Sequence, residues 1–191
     1  AGVTFPAGYR TADFDGTSNA VVSYPDNDPT ESVPLTVCAW IRIDTYSGVR
    51  QIVGKCTTAT TYEGWVFYYG PGLTRGLSLL QIDSVIPVTT GYAAHWTNTS
   101  TLTAGQWYHV AFTLASLGAT PVFYINGAAV SSAGSAVLGT VVSFANSIPL
   151  KVGGLGSPDV TSYHDGGIDD VRIHSTVKTA NEIGAIYAEG I

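Results

Sequence analysis

The alternation of apolar and polar residues sets the reading of this chain. Over Leu35–Ile43, residues Leu35, Val37, Ala39, Ile41 and Ile43 fall on one face and Thr36, Cys38, Trp40 and Arg42 on the other. Successive strand side chains point to opposite faces, so this is the pattern of a strand with one face in a core. Trp40 is then expected to cover something on the second face. Arg50–Cys56, Gly64–Tyr69 and Gly76–Ile82 come next as β-rich segments, separated by Gly, Thr and Pro at the roughly 8 to 12 residue spacing of a sandwich. Gly105–Ala115 sets Tyr108, Val110, Phe112 and Leu114 on one face, and Pro121–Val130 does the same with Phe123 and Ile125. Asn126-Gly127 is the dipeptide of a tight hairpin, which returns Ala128–Val130 along its partner. Asn19–Tyr24 and Leu150–Gly154 read as further strands. Pro87–Ser100 lacks a strong period and holds Tyr92, His95 and Trp96, so it is expected to be a loop over the core or a ligand platform.

Gly166–Ile191 closes the pattern with one strand and one helix. Strict alternation puts Asp169, Val171 and Ile173 on one face and Asp170, Arg172 and His174 on the other. Asp169 then lies on the apolar side, where a carboxylate must be met by backbone N–H groups, a basic side chain or a cation. Thr179 and, three residues on, Glu182 form a capping box; Ile183, Ile186 and Tyr187 make an apolar stripe, and Gly190 ends the helix.

Composition agrees with a sheet protein. The 191 residues are 45% hydrophobic and only 12% charged, ample for a sizeable core, and 22 glycines favour turns and strands over helices. No linker, repeat or charge run divides the chain, so residues 1–191 are expected to form one domain. A net charge of −6 disfavours nucleic acid as a partner, because gripping a phosphate backbone needs clustered Lys and Arg. No apolar run reaches the roughly 20 residues that span a bilayer as a helix, so membrane insertion is not expected. Cys38 and Cys56 lie in what read as consecutive strands; if those pair as a hairpin, either a cross-strand disulfide or two buried thiols would result. Neither CxxC nor a Cys/His cluster is present, which disfavours zinc.

In order along the chain, FDG at Phe14–Gly16, LTVCAWIRI at Leu35–Ile43, IVGK at Ile52–Lys55, GQWYHVAFTL at Gly105–Leu114, VFYINGAAV at Val122–Val130, LKVGG at Leu150–Gly154 and GGIDDVRIH with its capped helix together resemble the laminin G-like, concanavalin A-like jelly roll. The resemblance spans nearly the whole chain. It implies an all-β protein, a two-sheet antiparallel β-sandwich with one short C-terminal helix. It also implies little about chemistry, since this fold carries lectins, adhesion domains, virion parts and glycoside hydrolases.

Hydrolysis can be tested on the residues. Retaining glycosidases need two facing carboxylates about 5 to 5.5 Å apart, which glucanases of this fold carry as ExDxxE on one strand. The only glutamates are Glu31, Glu63, Glu182 and Glu189, none with an Asp two residues on, and GxSxG is missing too. The chain is read as not an enzyme. His109, on the face opposite Tyr108 and Val110, is expected to be structural and hydrogen-bonded to a neighbouring strand; His95, His164 and His174 have no metal spacing. A structural calcium ion is the metal to expect, stapling the first strand to the last through Asp13, Asp15, Asp169 and Asp170 if Phe14 neighbours the closing strand. For a glycan, aromatic rings must be displayed beside polar groups, and Tyr46, Tyr62, Tyr68, Tyr69, Tyr92 and Trp96 are the candidates. The expected function is therefore recognition of carbohydrate or a glycosylated surface by a non-catalytic adhesion module, outside the cell or on a virion. The alternative is a structural decoration or fibre part whose ligands are neighbouring protein subunits, which few charges and a mean hydropathy of +0.21 suit.

Overall fold

Alternating segments of this kind must bury their apolar faces against one another, and the computed structural model, which describes residues 12–17, 21–24, 29–45, 48–56, 61–70, 75–85, 91–98, 102–154 and 163–190, shows how they do so. The strands are β1 (Ala12–Asp15), β2 (Val22–Tyr24), β3 (Leu35–Ile43), β4 (Arg50–Cys56), β5 (Thr61–Tyr69), β6 (Arg75–Val85), β7 (Tyr92–Asn98), β8 (Trp107–Leu114), β9 (Val122–Ile125), β10 (Ala128–Val130), β11 (Ser132–Leu138), β12 (Leu150–Val152) and β13 (Asp165–His174), followed by helix α1 (Ala180–Glu189). One sheet has the order β1, β13, β3, β8, β9, β10 and the other β11, β7, β6, β5, β4, β12, β2. Every strand pairing in them is antiparallel. The fold is the β-sandwich jelly roll.

The core lies between the sheets. Val37, Ala39, Ile41, Val110, Phe112 and Phe123 of the six-stranded sheet face Ile52, Val53, Trp65, Phe67, Leu77 and Leu79 of the other. Phe112 meets Trp65 and Phe67 edge-on, at centroid distances of 5.8 and 5.1 Å. Asn126 and Gly127, at φ 50° and 76°, make the expected hairpin turn between β9 and β10.

Three expectations about the strands need correction. β3 and β4 do not pair as a hairpin: β3 lies between β13 and β8, and β4 lies between β5 and β12 in the opposite sheet. Cys38 and Cys56 are thus in different sheets, no disulfide joins them, and burial pushes each thiol up to about 12. Tyr92–Asn98, inside the stretch read as irregular, is a strand between β6 and β11. Finally, Asp169 is not on the core face. Register shifts between Asp169 and Arg172, where Asp170 takes φ 46°, so the extra residue of a bulge reverses the alternation. Ile168 points into the core, Asp169 stands opposite Trp40 on the outer face, and Val171 and Ile173 return to the core.

The helix has the predicted cap, Thr179 and Glu182 bonding each other's backbone N–H. It seals the outer face of the six-stranded sheet, with Ile183 and Ile186 against Cys38, Ala111 and Tyr124. Trp40 does cover something: its ring stacks on Tyr187 at 5.5 Å, and Gly190 approaches so closely that a Cβ there would stand 2.2 Å from the indole nitrogen.

Candidate functional site

The outer face of the seven-stranded sheet is built differently. Strand register aligns its outward positions in three rows that cross five strands. The first row is Gln51, Tyr68, Ser78, Trp96 and Gly134; the second is Gly54, Val66, Leu80, Ala94 and Ala136; the third is Cys56, Gly64, Ile82, Tyr92 and Leu138. No position in the three rows is charged. Cys56, Val66 and Ile82 form a small apolar cluster of their own, against which Tyr68, Leu80 and Tyr92 pack. Tyr68, Tyr92 and Trp96 are each partly exposed.

The first row carries the chemistry. Tyr68 and Trp96 sit on alternate strands with Ser78 between them, so their backbones are about 10 Å apart at the usual strand spacing. Gly134 supplies the flat bed for the indole: a Cβ at that position would lie 2.7 Å from the Trp96 ring. Gln51 closes the other end, its amide lying over Gly54, where a Cβ would be 2.8 Å from Nε2. Both Gln51 and Ser78 are fully buried, and neither the Gln51 amide oxygen and nitrogen nor the Ser78 hydroxyl has a hydrogen-bond partner. Buried polar groups are nearly always bonded, so three unsatisfied atoms in one row, that of Ser78 between two partly exposed rings and those of Gln51 beside the Tyr68 ring, set this row apart. Aromatic faces flanking hydrogen-bonding groups, without charge, suit a ligand with both apolar faces and hydroxyls.

Of the residues proposed from sequence, Tyr68, Tyr92 and Trp96 come together here. Tyr69 does not: it points inward, is fully buried, and its hydroxyl lies 3.4 Å from Nδ1 of His164. Alternation makes that unavoidable once Tyr68 faces out. Tyr62 pairs with Ser84 in β5 and β6, but its side chain, like all of Tyr46, lies outside the described residues. Gln51 and Ser78 escaped the sequence reading, since only register between non-adjacent strands reveals that they share a row with the rings.

The carboxylates are more dispersed. β1 does pair with β13, Phe14 standing opposite Gly166. Asp13 is 3.2 Å from Arg42, however, and Asp15 accepts both the amide and the hydroxyl of Thr17, which hold its carboxyl below the usual range. Asp170 pairs with Arg172, whose guanidinium also binds Glu189, and one Asp169 oxygen accepts the Asp170 amide. Asp169 and Asp170 border a cavity of about 250 Å³ at the edge between the sheets, beside Tyr24 and Phe14, while Asp13 and Asp15 lie elsewhere. Among the described residues no group of three or more His, Cys, Asp or Glu is placed to hold a metal ion.

The histidines are structural in character. His109 is not hydrogen-bonded to a neighbouring strand as expected; both ring nitrogens are buried without a partner, and the ring packs between Trp40 at 5.6 Å and Tyr187 at 5.9 Å. Burial pushes it down to about 4, so it is neutral at pH 7. His164 is also held near 4, mainly by burial, with Nε2 3.1 and 3.2 Å from the carbonyls of Arg42 and Gly167. Two carbonyl neighbours require that Nε2 carry the proton.

With this geometry in view, the comparison with protein families is decisive for ancestry. A laminin G-type model described as the concanavalin A-like lectin/glucanases superfamily matches residues 15–184. The chain belongs to this superfamily. No curated protein matches it. Among solved structures, this superfamily member is similar to a proposed carbohydrate binding protein from Bacteroides ovatus, with 19% identity and a TM-score of 0.64 over 91% of this chain and 45% of that one. It is similar to the binding domain of Paraclostridial Mosquitocidal Protein 1, with 15% identity and a TM-score of 0.65 over 96% and 46%. It is also similar to domain 4 of a GH43 extracellular arabinanase from Geobacillus stearothermophilus, in complex with arabinotriose, with 17% identity and a TM-score of 0.63 over 95% and 78%. The chain thus spans about half the length of the first two. At these identities the likeness establishes the fold.

Proposed function

We propose that this chain is a non-catalytic carbohydrate-recognition module that seats its glycan on the outer face of the seven-stranded sheet. The observation that carries the reading is the uncharged row in which Tyr68 and Trp96 flank Ser78. The arabinanase domain in complex with arabinotriose and the proposed carbohydrate binding protein of B. ovatus support it as relatives in fold. Such a module works where glycans are displayed, outside the cell or on a virion.

The acidic residues support binding over hydrolysis. Glu31 pairs with the buried Lys55 at 3.1 Å, Glu182 caps the helix, and Glu189 binds Arg172. Glu63 and Asp83 stand in register across β5 and β6, but one Asp83 oxygen accepts the Val142 amide at 3.3 Å, and alternation turns the pair away from the aromatic row. On a glycan array the protein should bind, Trp96→Ala should lose that binding, and Glu63→Gln should retain it. Silence across a broad array, or release of sugar by the wild type but not by Glu63→Gln, would defeat the reading.

One observation favours assembly with protein subunits as a second reading. β11 borders the seven-stranded sheet with β7 as its single neighbour, and its residues Ser132–Leu138 contain neither charge nor proline, the usual guards of an edge strand. Val137 and Leu138 on it and Val142 beyond it are 58%, 47% and 70% exposed. Sedimentation should then show association that Val137→Lys abolishes; a monomer at high concentration would count against it.

A further inference from the structure

The row on the seven-stranded sheet holds more than a pair of sugar-stacking rings. Within the carbohydrate reading, on which this inference rests, we propose that Gln51 and Ser78 are the specificity-determining contacts and that the ligand is a neutral oligosaccharide lying across the strands. Both residues are fully buried on the same face as Tyr68 and Trp96, and the two polar atoms of Gln51 and the one of Ser78 have no partner. A buried amide and hydroxyl left unsatisfied destabilise the free protein, and such groups persist where a ligand satisfies them. Their order in the row, Gln51, Tyr68, Ser78, Trp96, alternates polar group and ring. A sugar stacked on each ring therefore has a hydrogen-bonding group on its flank. Ser78 serves the junction between the two sugars.

Two features narrow the ligand. The rings are two strands apart, a span that one sugar does not bridge and an oligosaccharide does. The three rows carry no basic side chain, and the chain as a whole is acidic at −6, so a sialylated or sulfated glycan would enter without a counter-charge. Hydroxyls are what an amide and a serine can recognise. Because the two groups are closed from solvent in the free chain, neighbouring side chains must part as the ligand enters.

The test uses Gln51→Leu and Ser78→Ala, each measured for stability by urea unfolding and for binding by calorimetry against neutral arabino-, xylo- and cello-oligosaccharides of one to five units, with sialyllactose as the anionic probe. The expected result is an unusual pairing: both variants fold as stably as the wild type or more so, yet bind the preferred oligosaccharide at least fivefold more weakly. The monosaccharide should bind the wild type at least tenfold more weakly than the trimer, and sialyllactose should not bind. Loss of stability with unchanged affinity would make the two residues structural and overturn the inference. So would tighter binding of sialyllactose than of any neutral chain. If Trp96→Ala loses binding while Gln51→Leu and Ser78→Ala do not, the carbohydrate reading stands and this inference falls. If the wild type binds none of the probes, both fall.

Discussion

On the outer face of the six-stranded sheet, Cys38, Ala111 and Tyr124 are sealed by Ile183 and Ile186 of α1, and Trp40 and His109 are roofed by Tyr187. On the outer face of the seven-stranded sheet, Tyr68, Tyr92 and Trp96 stay partly exposed around Gln51 and Ser78, and among the described residues no helix covers them. Both faces carry aromatic side chains projecting from a pleated sheet. The first has its rings covered by α1, with the His109 nitrogens unbonded beneath it, whereas the second keeps three rings partly exposed beside the unbonded polar atoms of Gln51 and Ser78. An apolar stripe on a neighbouring element makes the difference: α1 supplies one to the first face only.

The contrast predicts separable consequences. Ile183→Ala removes a fully buried anchor of the helix and should lower stability by about 2 to 5 kcal/mol, read by urea unfolding, while glycan affinity of the folded protein is unchanged. Coupled loss of affinity would show that the two faces communicate.

Acid should separate the faces next. An unfolded histidine titrates near 6.5, and His109 and His164 are each held near 4 in the folded chain, so below pH 6.5 protons bind the unfolded state first. Their stabilisation is complete above pH 6.5, falls as pH drops towards 4 and levels off below that. Each contributes on the order of 3 kcal/mol over that window. His109→Phe should flatten the stability profile, with His164, and the histidines His95 and His174 that burial also holds down, supplying the remaining slope. The fifteen positions of the three rows include no Asp, Glu or His, so binding by molecules still folded should not track the same curve.

Trp96→Ala acts the other way round. It should weaken glycan binding by more than tenfold, over about 1.4 kcal/mol, with a smaller change in stability, because its ring is partly exposed. The smallest effect belongs to the cap: Thr179→Ala should lower stability by about 1 kcal/mol and leave binding alone.

Much of this architecture is legible in the sequence, for reasons that also explain where legibility ends. β3, β4 and the capped helix announce themselves because alternation and the Thr179–Glu182 spacing are local signals. β11 escapes such a reading, since its small residues, exposed at nearly every position, show no apolar face. Alternation misplaces Asp169 because one bulge residue, Asp170, inverts the facing of the strand on its two sides. Tyr68 and Trp96 are visible as aromatic residues but not as partners, and Gln51 and Ser78 carry no signal at all. A row across four strands depends on registers that no stretch of sequence contains.

Intrinsic fluorescence tests the central claim most directly. Trp40, Trp65 and Trp107 are buried, whereas Trp96 is partly exposed on the proposed binding face. Titration with a neutral oligosaccharide should therefore change the emission of the wild type, and Trp96→Phe should abolish that change. An emission change that persists undiminished in Trp96→Phe would place the ligand elsewhere and contradict the account.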